Sequence, residues 1–357
     1  MKAKIVYNPQ SGKRKLQPQM SYVVEQLSSA GYRNIQVYPT KAVGDAAEAA
    51  YGACAESCDL LIAVGGDGTT SEVVSGLVRY RRNHPDHSQI PTLGCIPSGT
   101  ANDFTSALRI PNDVRKALQI ITKGHRAHID IGSVGEQRSF NYVIAAGAFT
   151  RLTYTTPNHL KRFLGGWAYF KDFFREIPLI SKPFRLQLSI DGQQISGKYV
   201  IALILNSPNF AGMRGVMPDS CMDDGIFDIL LLPKSNPRVF FSAIHGMALG
   251  VNENINESGI QYLRGKQIVI ETEKRLDWNI DGELGSTGST SEKGLMEIAC
   301  LNKYLPIMVP ALALRKVLFH QPLPTETPAG KKKNKPVKQT LALVRPPRSG
   351  NNFQKND

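Results

Sequence analysis

The amino-acid sequence predicts an amino-terminal α/β domain built on a doubly wound parallel sheet, followed by an antiparallel β-rich, sandwich-like domain. Apolar strands and helices alternate over the first 130 residues, which is the pattern of βαβ units whose sheet is covered on both faces. From about residue 129 to residue 302 strand-like runs dominate, and Asp-Gly turns separate them. The chain of 357 residues is long enough for two domains with cores of their own.

The first half is expected to contain strands and helices in strict alternation. The predicted strands are residues 4–7, 35–38, 60–64 and 93–96, and the predicted helices are 18–30, 45–57, 69–82 and 113–122. The run at 60–64 is continuously apolar, as expected for a parallel strand that is buried on both faces. In such a sheet, ligands bind at the carboxyl ends of the strands.

The second half is expected to be mostly strands. These are predicted at residues 140–144, 185–190, 199–205, 226–232, 267–271 and 295–300, with a helical insertion at 161–176 and a short helix near 311–319. The resulting division is an α/β domain at 1–130, a β-rich domain at 131–305, a short helical segment at 306–322 and a disordered basic tail at 323–357. Whether the segment 306–322 packs back on the first domain is left open.

Charge and composition limit the functions that the chain can have. The chain carries 43 basic and 30 acidic residues, a net charge of +13. Residues 325–357 contain eight basic and two acidic side chains, so this tail contributes +6 and the remainder +7. A basic chain favours anionic lipid, nucleotide phosphate or nucleic acid as partner, and the sequence lacks a nucleic-acid-recognition motif. No run of about 20 apolar residues, no export signal and no zinc-spaced cysteine pair occurs, which predicts a soluble cytoplasmic protein without a transmembrane segment.

Three loops that follow predicted strands carry the signature of a phosphate site. Gly65-Gly66-Asp67-Gly68-Thr69 follows the apolar strand at 60–64 and precedes a helix, so its backbone N–H groups and the helix dipole favour a phosphate. An aspartate in such a cradle implies a cation, here Mg²⁺. The other two loops are residues 97–104 (PSGTANDF) and 8–13 (NPQSGK), each after its own strand. Each of these loops alone could be a tight turn or a helix cap. Three such loops at the same edge of one sheet favour a shared phosphate site.

The motifs NPQSGK, GGDGT, PSGTANDF, MPDSCMDDGIFDILLL and WNIDGELG, in this order, resemble the diacylglycerol kinase family, above all its soluble bacterial members and related lipid kinases. The resemblance extends from residue 1 to about residue 310. GGDGT alone is less specific, because NAD kinases and phosphofructokinases have similar loops. The family implies ATP and Mg²⁺ as cofactors and phosphoryl transfer to a lipid hydroxyl, most simply from ATP to diacylglycerol.

The resemblance also implies roles for individual residues. Nucleotide contacts fall on Asn8, Pro9, Gln10, Ser11, Gly12, Lys13, Thr40, Gly66, Asp67, Gly68, Thr69, Thr70, Ser71, Glu72 and Thr100. The catalytic set is Glu283 as general base, Asp67 and Asp103 as organisers of the catalytic Mg²⁺, and Asp281 as a hydrogen-bonding neighbour of the base. A structural metal site would use the Asp224 carboxylate with the backbone carbonyls of Cys221 and Ile226, oxygen ligands that suit a hard cation.

The chain departs from the family at Thr70-Ser71, where many relatives have an apolar residue and asparagine, and at residues 105–107, where arginine is common. Other acceptors, such as a sphingoid base or NAD, therefore stay open, as does an inactive nucleotide- or lipid-sensing regulator. The expected partner is lipid at the anionic inner face of the membrane, with peripheral contact through the basic charge and the aromatic segment 160–174. That segment is equally typical of a buried helix, and a homodimer is left open.

Overall fold

A computed structural model provides the structure of this chain. The described residues are 1–11, 17–86, 89–136, 138–147, 182–209, 217, 220–234, 260–286, 294–316 and 318. The described residues all lie within one compact unit, residues 1–322. The predicted helix at 161–176, the aromatic segment 160–174 and the basic tail lie outside the described residues.

Helices and strands alternate in the first half, as predicted, except that a short helix at Asp103–Ala107, which the sequence did not predict, precedes the helix at Val114–Lys123. The helices are α1 (Gln17–Ser29), α2 (Asp45–Ala55), α3 (Asp67–Asn83), α4 (Asp103–Ala107), α5 (Val114–Lys123) and, near the end of the unit, α6 (Ala311–Lys316). The strands are β1 (Lys2–Tyr7), β2 (Asn34–Pro39), β3 (Leu60–Gly65), β4 (Thr92–Pro97), β5 (His125–Val134), β6 (Arg138–Phe140), β7 (Val143–Gly147), β8 (Phe184–Ile190), β9 (Gln193–Tyr199), β10 (Ile201–Leu205), β11 (Phe227–Leu232), β12 (Gln261–Gly265), β13 (Gln267–Thr272), β14 (Asp277–Ile280), β15 (Glu283–Ser286) and β16 (Gly294–Val309).

One sheet runs through both halves of the sequence. Its order is β2-β1-β3-β4-β16-β13-β8-β9, with β5 and β6 joined to it through β16. The four amino-terminal strands are mutually parallel, and every residue of β3 is buried, in agreement with its continuous apolar sequence. The parallel, helix-covered part of the predicted fold is therefore confirmed.

The strand β16 joins the parallel and antiparallel parts of this sheet. It pairs antiparallel with β5 and β13, and its residue Ile307 pairs parallel with Leu93 in β4. Residues 306–309 of the predicted helical segment 306–322 are consequently the last residues of a strand, and α6 begins only at Ala311. The division of the chain into the two predicted domains stays a prediction.

The second sheet is antiparallel and has the order β12-β11-β10-β7-β14-β15. Side chains on its strands alternate between two cores, as the period of a strand requires. In β7, Ile144 and Ala146 pack with Trp278 in the core between the two sheets, whereas Val143 and Ala145 pack in the core of the α/β half. The predicted sandwich-like part of the fold is confirmed.

Two of the predicted strands are each two strands with a break between them. The run at 140–144 is divided into β6 and β7 by Asn141 and Tyr142, and the run at 199–205 is divided into β9 and β10 by Val200. Both runs are apolar enough to read as single strands, and only tertiary hydrogen bonds reveal the breaks. In the described part of the chain, none of the helices has the length and apolar composition of a membrane span.

Candidate active site

The three glycine-containing loops meet at the carboxyl ends of β1, β3 and β4. The Ser98 N–H donates to the Gly65 carbonyl over 2.8 Å, and the Asn8 N–H donates to the Val64 carbonyl over 3.0 Å. The hydroxyl groups of Ser11 and Ser98 are 2.7 Å apart. Residues that are 87 positions apart in the sequence thus form one continuous rim, as the parallel strand order predicts.

Two of these loops touch backbone to backbone at Gly66 and Gly99. A methyl group at Gly99 would lie 2.6 Å from the Gly66 Cα atom, so only glycine allows this approach. The Asn102 side chain fixes the turn by accepting from the Gly99 N–H (3.0 Å) and donating to the Gly99 carbonyl (2.8 Å). The result is a narrow cradle lined by backbone, which is the surface that phosphate groups require.

Helix α3 begins at Asp67, two residues before the predicted start at residue 69, so the GGDGT loop includes the first helical turn. Its N-cap is Gly66, which has no side chain to satisfy the first N–H groups of the helix. Those N–H groups and the positive end of the helix dipole therefore face the cradle. Thr70 turns its hydroxyl back to the Gly66 carbonyl over 3.1 Å and so stabilises the turn.

Asp67 and Asp103 lie together at this rim. The Phe104 N–H donates to Asp67 Oδ1 over 3.3 Å, and the Asp103 side chain is buried. Burial raises the pKa of Asp67 above its usual value, although backbone N–H groups of residues 102–104 act in the opposite direction. A desolvated carboxylate that is surrounded by backbone dipoles is stabilised by a cation, so these residues fit a Mg²⁺ ion that arrives with a nucleotide.

Asp281 connects the second half of the chain to helix α3. Its carboxylate accepts hydrogen bonds from the Asn141 N–H (2.5 Å), the Tyr142 N–H (3.0 Å) and the Val143 N–H (3.1 Å), and from the Ser71 hydroxyl (3.3 Å). Burial raises its pKa to about 7. At the break between β6 and β7, three consecutive N–H groups therefore point towards one carboxylate.

Glu283 follows directly in the chain from this buried anchor. Asp281 and Gly282 both have positive φ, 50° and 94°, and form the tight turn between β14 and β15. Glu283 is the first residue of β15, pairs with Ile280 and is exposed. The exposed Glu283 carboxylate thus lies two residues after a carboxylate that accepts a hydrogen bond from Ser71 in α3.

Tyr142 is a residue of this site that the sequence did not reveal. The ring is buried, and the pKa of the phenol is raised well above its usual value by desolvation and by the nearby charges of Asp281, Asp67 and Asp103. The Tyr142 phenol therefore lies near carboxylates from three separate segments of the chain. The only local signal was an Asn-Tyr pair inside an otherwise apolar strand.

The remaining predicted nucleotide residues have different surroundings. Thr40 follows β2, and its N–H donates to the Tyr7 carbonyl over 2.9 Å, so it lies at the same edge of the sheet. Thr100 is exposed on the loop after β4. The Glu72 carboxylate instead accepts from the Ala46 N–H in the first turn of α2, over 3.2 Å. Gly12 and Lys13 lie outside the described residues.

The predicted metal ligand Asp224 already has a cationic partner. Its Oδ2 atom is 2.5 Å from Arg264 Nη2, and its Oδ1 atom accepts from the Ile226 N–H over 3.1 Å. Within the described ranges, no group of three or more acidic, histidine or cysteine side chains could hold a metal ion. The Asp224 carboxylate, with both oxygens engaged, does not fit the divalent cation that the sequence predicts.

A cavity of about 770 Å³ lies apart from these loops, along β8, β9 and β13. Arg185, Lys198 and Glu273 line it together with the start of β16. None of the predicted catalytic or nucleotide residues borders this cavity. Its size alone therefore does not make it the active site, which is defined by the converging carboxylates and N–H groups.

Comparison with known families divides the chain in two. Residues 2–134 match the diacylglycerol kinase catalytic domain, and residues 143–300 match the YegS C-terminal NAD kinase beta sandwich-like domain. The first match contains the three loops, and the second contains Asp224, Asp281 and Glu283. The two matches meet between β5 and β7, where the Asp281 anchor joins the two parts.

Comparison with individual proteins covers most of the chain. A diacylglycerol kinase of Bacillus subtilis (strain 168) is 35% identical over 285 residues, 80% of this chain and 90% of that protein. A diacylglycerol kinase of Staphylococcus aureus (strain MRSA252) is 36% identical over 80% of this chain and 86% of that protein. A crystal structure of a diacylglycerol kinase from Bacillus anthracis str. Sterne superposes with a TM-score of 0.69 at 25% identity, over 87% of this chain and 98% of that chain.

Proposed function

Because this chain belongs to the diacylglycerol kinase family, we propose that it is a lipid kinase that transfers the γ-phosphate of ATP to the hydroxyl group of diacylglycerol. The products are phosphatidic acid and ADP. The observation that carries the proposal is the hydrogen bond between Ser71 in α3 and Asp281, two residues before Glu283. It joins the phosphate loops and the candidate base in one site.

The nucleotide binds along the rim formed by the loops after β1, β3 and β4. The Gly66–Gly99 contact brings the two loops together beside the uncapped start of α3, whose first N–H groups and positive potential favour phosphate oxygens. Thr40 lies at the same edge, after β2. This proposal includes the nucleotide role predicted for Gly12 and Lys13, which continue the first loop.

Asp67 and Asp103 hold a Mg²⁺ ion together with the nucleotide in this proposal. The bound ion supplies neutralisation of the negative charge on the phosphoryl group that is transferred. The chain contributes the carboxylates of Asp67 and Asp103, and burial raises the pKa of Asp67, as expected for a desolvated carboxylate that a cation stabilises. The ion at Asp224 that the sequence predicts has no part in the reaction, because Arg264 occupies that carboxylate.

Glu283 acts as the general base. The acceptor oxygen attacks the γ-phosphorus, the bond from phosphorus to the ADP oxygen breaks, and the hydroxyl proton passes to the Glu283 carboxylate. Because phosphoryl transfer has a loose transition state, the proton leaves late and a carboxylate is basic enough to accept it. The Asp281 anchor keeps the turn that carries Glu283 in place while the substrate binds.

The acceptor reaches this site from a membrane surface. We propose peripheral contact with the anionic inner face of the membrane, supported by the net charge of +13, since each basic residue near such a surface contributes about 1 kcal/mol.

A panel assay tests the proposed function. Transfer of labelled phosphate from ATP is measured with diacylglycerol in mixed micelles, with a sphingoid base in the same micelles, and with NAD in detergent-free buffer. The proposal predicts labelled phosphatidic acid and much weaker labelling of the other two acceptors. Labelling of NAD alone would instead make the chain a kinase of a soluble alcohol. Nucleotide binding without labelling of any acceptor would make it a regulator.

A further inference from the structure

Arg264 stands where the family resemblance predicts a metal ion. It lies in β12, directly opposite Asp228 in β11. Its Nη2 atom is 2.5 Å from Asp224 Oδ2, and its Nε atom is 3.1 Å from Asp228 Oδ1. One guanidinium therefore bridges a carboxylate of the turn at residues 222–226 and a buried carboxylate of the following strand. The planar fork of arginine suits this double contact, and a lysine would supply a single point charge.

The two carboxylates are otherwise held by neutral donors. Asp224 Oδ1 accepts from the Ile226 N–H at 3.1 Å, and Asp228 Oδ1 accepts from the Tyr262 hydroxyl at 2.5 Å. Asp228 Oδ2 is buried and, in the part of the chain that the structure describes, has no hydrogen-bond partner. The positive charge that compensates the half-buried Asp224 and the buried Asp228 is thus the guanidinium of Arg264.

A third carboxylate nearby is already satisfied by the protein. Asp130 accepts from the Gly225 N–H (2.6 Å), the Lys303 N–H (2.6 Å) and the Asn302 amide (3.0 Å). These three bonds fix the turn at residues 222–226 against β5 and the bulge in β16. Asp130 therefore stabilises this turn through hydrogen bonds and is not available as a metal ligand.

We propose that Arg264 is the resident cation of this site, and that the turn at residues 222–226 keeps its structure without a divalent metal. A divalent ion at Asp224 Oδ2 would have to displace the guanidinium, and the two positive charges would repel each other at contact distance. The stability of this turn is then independent of a divalent metal ion. Any requirement for Mg²⁺ arises at Asp67 and Asp103. This inference does not depend on the proposed reaction, because it concerns stability.

Thermal unfolding of the full chain tests the inference without any substrate. The protein is treated with EDTA, freed of nucleotide and heated with and without millimolar MgCl₂ or CaCl₂. The wild type is expected to have the same Tm in all three buffers, within about 1 °C. Arg264→Met, which keeps the apolar stem, is expected to lose at least about 2 °C in EDTA and to regain it with a divalent cation, because ligand binding stabilises the folded state.

Two further variants make the test specific. The double variant Arg264→Met, Asp224→Asn is expected to stay destabilised in every buffer, because the carboxylate that takes up the metal is gone. Arg185→Met serves as the matched control, since Arg185 pairs with Glu273 at an exposed surface and should show no response to metal. Terbium luminescence should show one additional saturable site with Arg264→Met that is absent from the wild type and from the double variant Arg264→Met, Asp224→Asn.

The opposite results are equally clear. Stabilisation of the wild type by MgCl₂ that is lost on Asp224→Asn would show that a metal binds beside Arg264 and would overturn the inference. An unchanged Tm of Arg264→Met in EDTA would overturn it as well. If Arg264→Met does not fold, the wild-type measurement still decides, and Arg264→Lys, which keeps the charge without the fork, provides the second comparison.

Discussion

Asp67 and Asp224 are both desolvated carboxylates in turns, and burial raises the pKa of each. They differ in the partners that contact their carboxylate oxygens. Backbone N–H groups surround Asp67, whereas an arginine from a neighbouring strand contacts Asp224 directly. In the two proposals above, the same residue type binds an incoming cation in one region and is paired with an arginine of the protein in the other. The chemistry of an aspartate follows from its partners and not from the motif around it.

The two regions are also connected. The Asn206 amide donates to the Asp130 carbonyl over 2.9 Å and to the Asn141 carbonyl over 3.0 Å. Asn141 in turn donates its N–H to Asp281. A chain of hydrogen bonds thus runs from Asp130, which holds the turn at residues 222–226, through Asn206 and Asn141 to Asp281.

Among the variants that test the comparison of these two regions, the largest effect is expected for Asp67→Asn, which keeps the size of the side chain and removes its charge. If Asp67 holds the Mg²⁺ of the nucleotide, kcat should fall on the order of 100-fold or more, with little change in Tm. Labelled phosphate transfer at saturating ATP measures kcat, and circular dichroism measures Tm.

Asp59→Asn is the matched control, because Asp59 is exposed and only accepts the Lys2 N–H. An Asp67→Asn enzyme with normal kcat would remove the proposed difference between the two regions, since Asp67 would then also be a purely structural carboxylate.

The next effect concerns the pH dependence of stability. Asp281 has a folded-state pKa of about 7, above its value in an unfolded chain, so the folded state keeps a proton that the unfolded state releases. The stability from this group is complete below about pH 4 and is lost as the pH rises through about 7. The free energy of unfolding of the wild type relative to Asp281→Asn should fall by roughly 2 kcal/mol between about pH 5 and 7.

Chemical denaturation of both proteins across this pH range measures that difference. The pKa of Asp130, raised to about 6 by burial, affects both proteins and cancels in the comparison. A difference between wild type and variant that is independent of pH would contradict the raised pKa, and with it the idea that Asp281 is a desolvated anchor.

A smaller effect is expected for Ser71→Ala. The hydroxyl donates one 3.3 Å hydrogen bond to Asp281 and supplies the only side-chain donor among the four bonds to this carboxylate. Its loss should cost about 1 kcal/mol or less and lower kcat several-fold with KM for ATP nearly unchanged. Steady-state kinetics separate kcat from KM. An altered KM with normal kcat would instead make Ser71 a nucleotide contact, as the family resemblance implies.

The smallest effect on turnover is expected from deletion of residues 325–357. This removes a net charge of +6 and should weaken binding to anionic vesicles, more strongly at low salt, while turnover on mixed micelles is retained. Vesicle sedimentation at two salt concentrations measures binding. Unchanged sedimentation would mean that the body of the protein supplies the membrane contact.

The parts of the site that the sequence revealed are local ones. The loops after β1, β3 and β4 each follow an apolar strand, and parallel strand order then brings Ser11, Gly65 and Ser98 together. Motif spacing and sheet topology suffice for such an arrangement. The same holds for the turn before Glu283, where Asp281 and Gly282 are typical residues for positive φ.

The parts that the sequence concealed depend on distant partners. Arg264 and Asp224 are 40 residues apart, and the sequence around each residue does not predict their ion pair. Tyr142 lies in an apolar run, and its break in the strand is fixed by Asp281, 139 residues away. The pairing of β16 with β4 likewise joins Ile307 and Leu93, which are 214 positions apart in the sequence. Such contacts follow from tertiary packing and are invisible to periodicity.

Replacement of Glu283 by glutamine tests the central claim most directly. The wild type and Glu283→Gln are compared for transfer of labelled phosphate from ATP to diacylglycerol at saturating substrates, with nucleotide binding measured in parallel. The account predicts a loss of about 100-fold to 10,000-fold in kcat, with ATP binding retained, because only the acceptor for the hydroxyl proton is removed. Normal turnover by Glu283→Gln would contradict it.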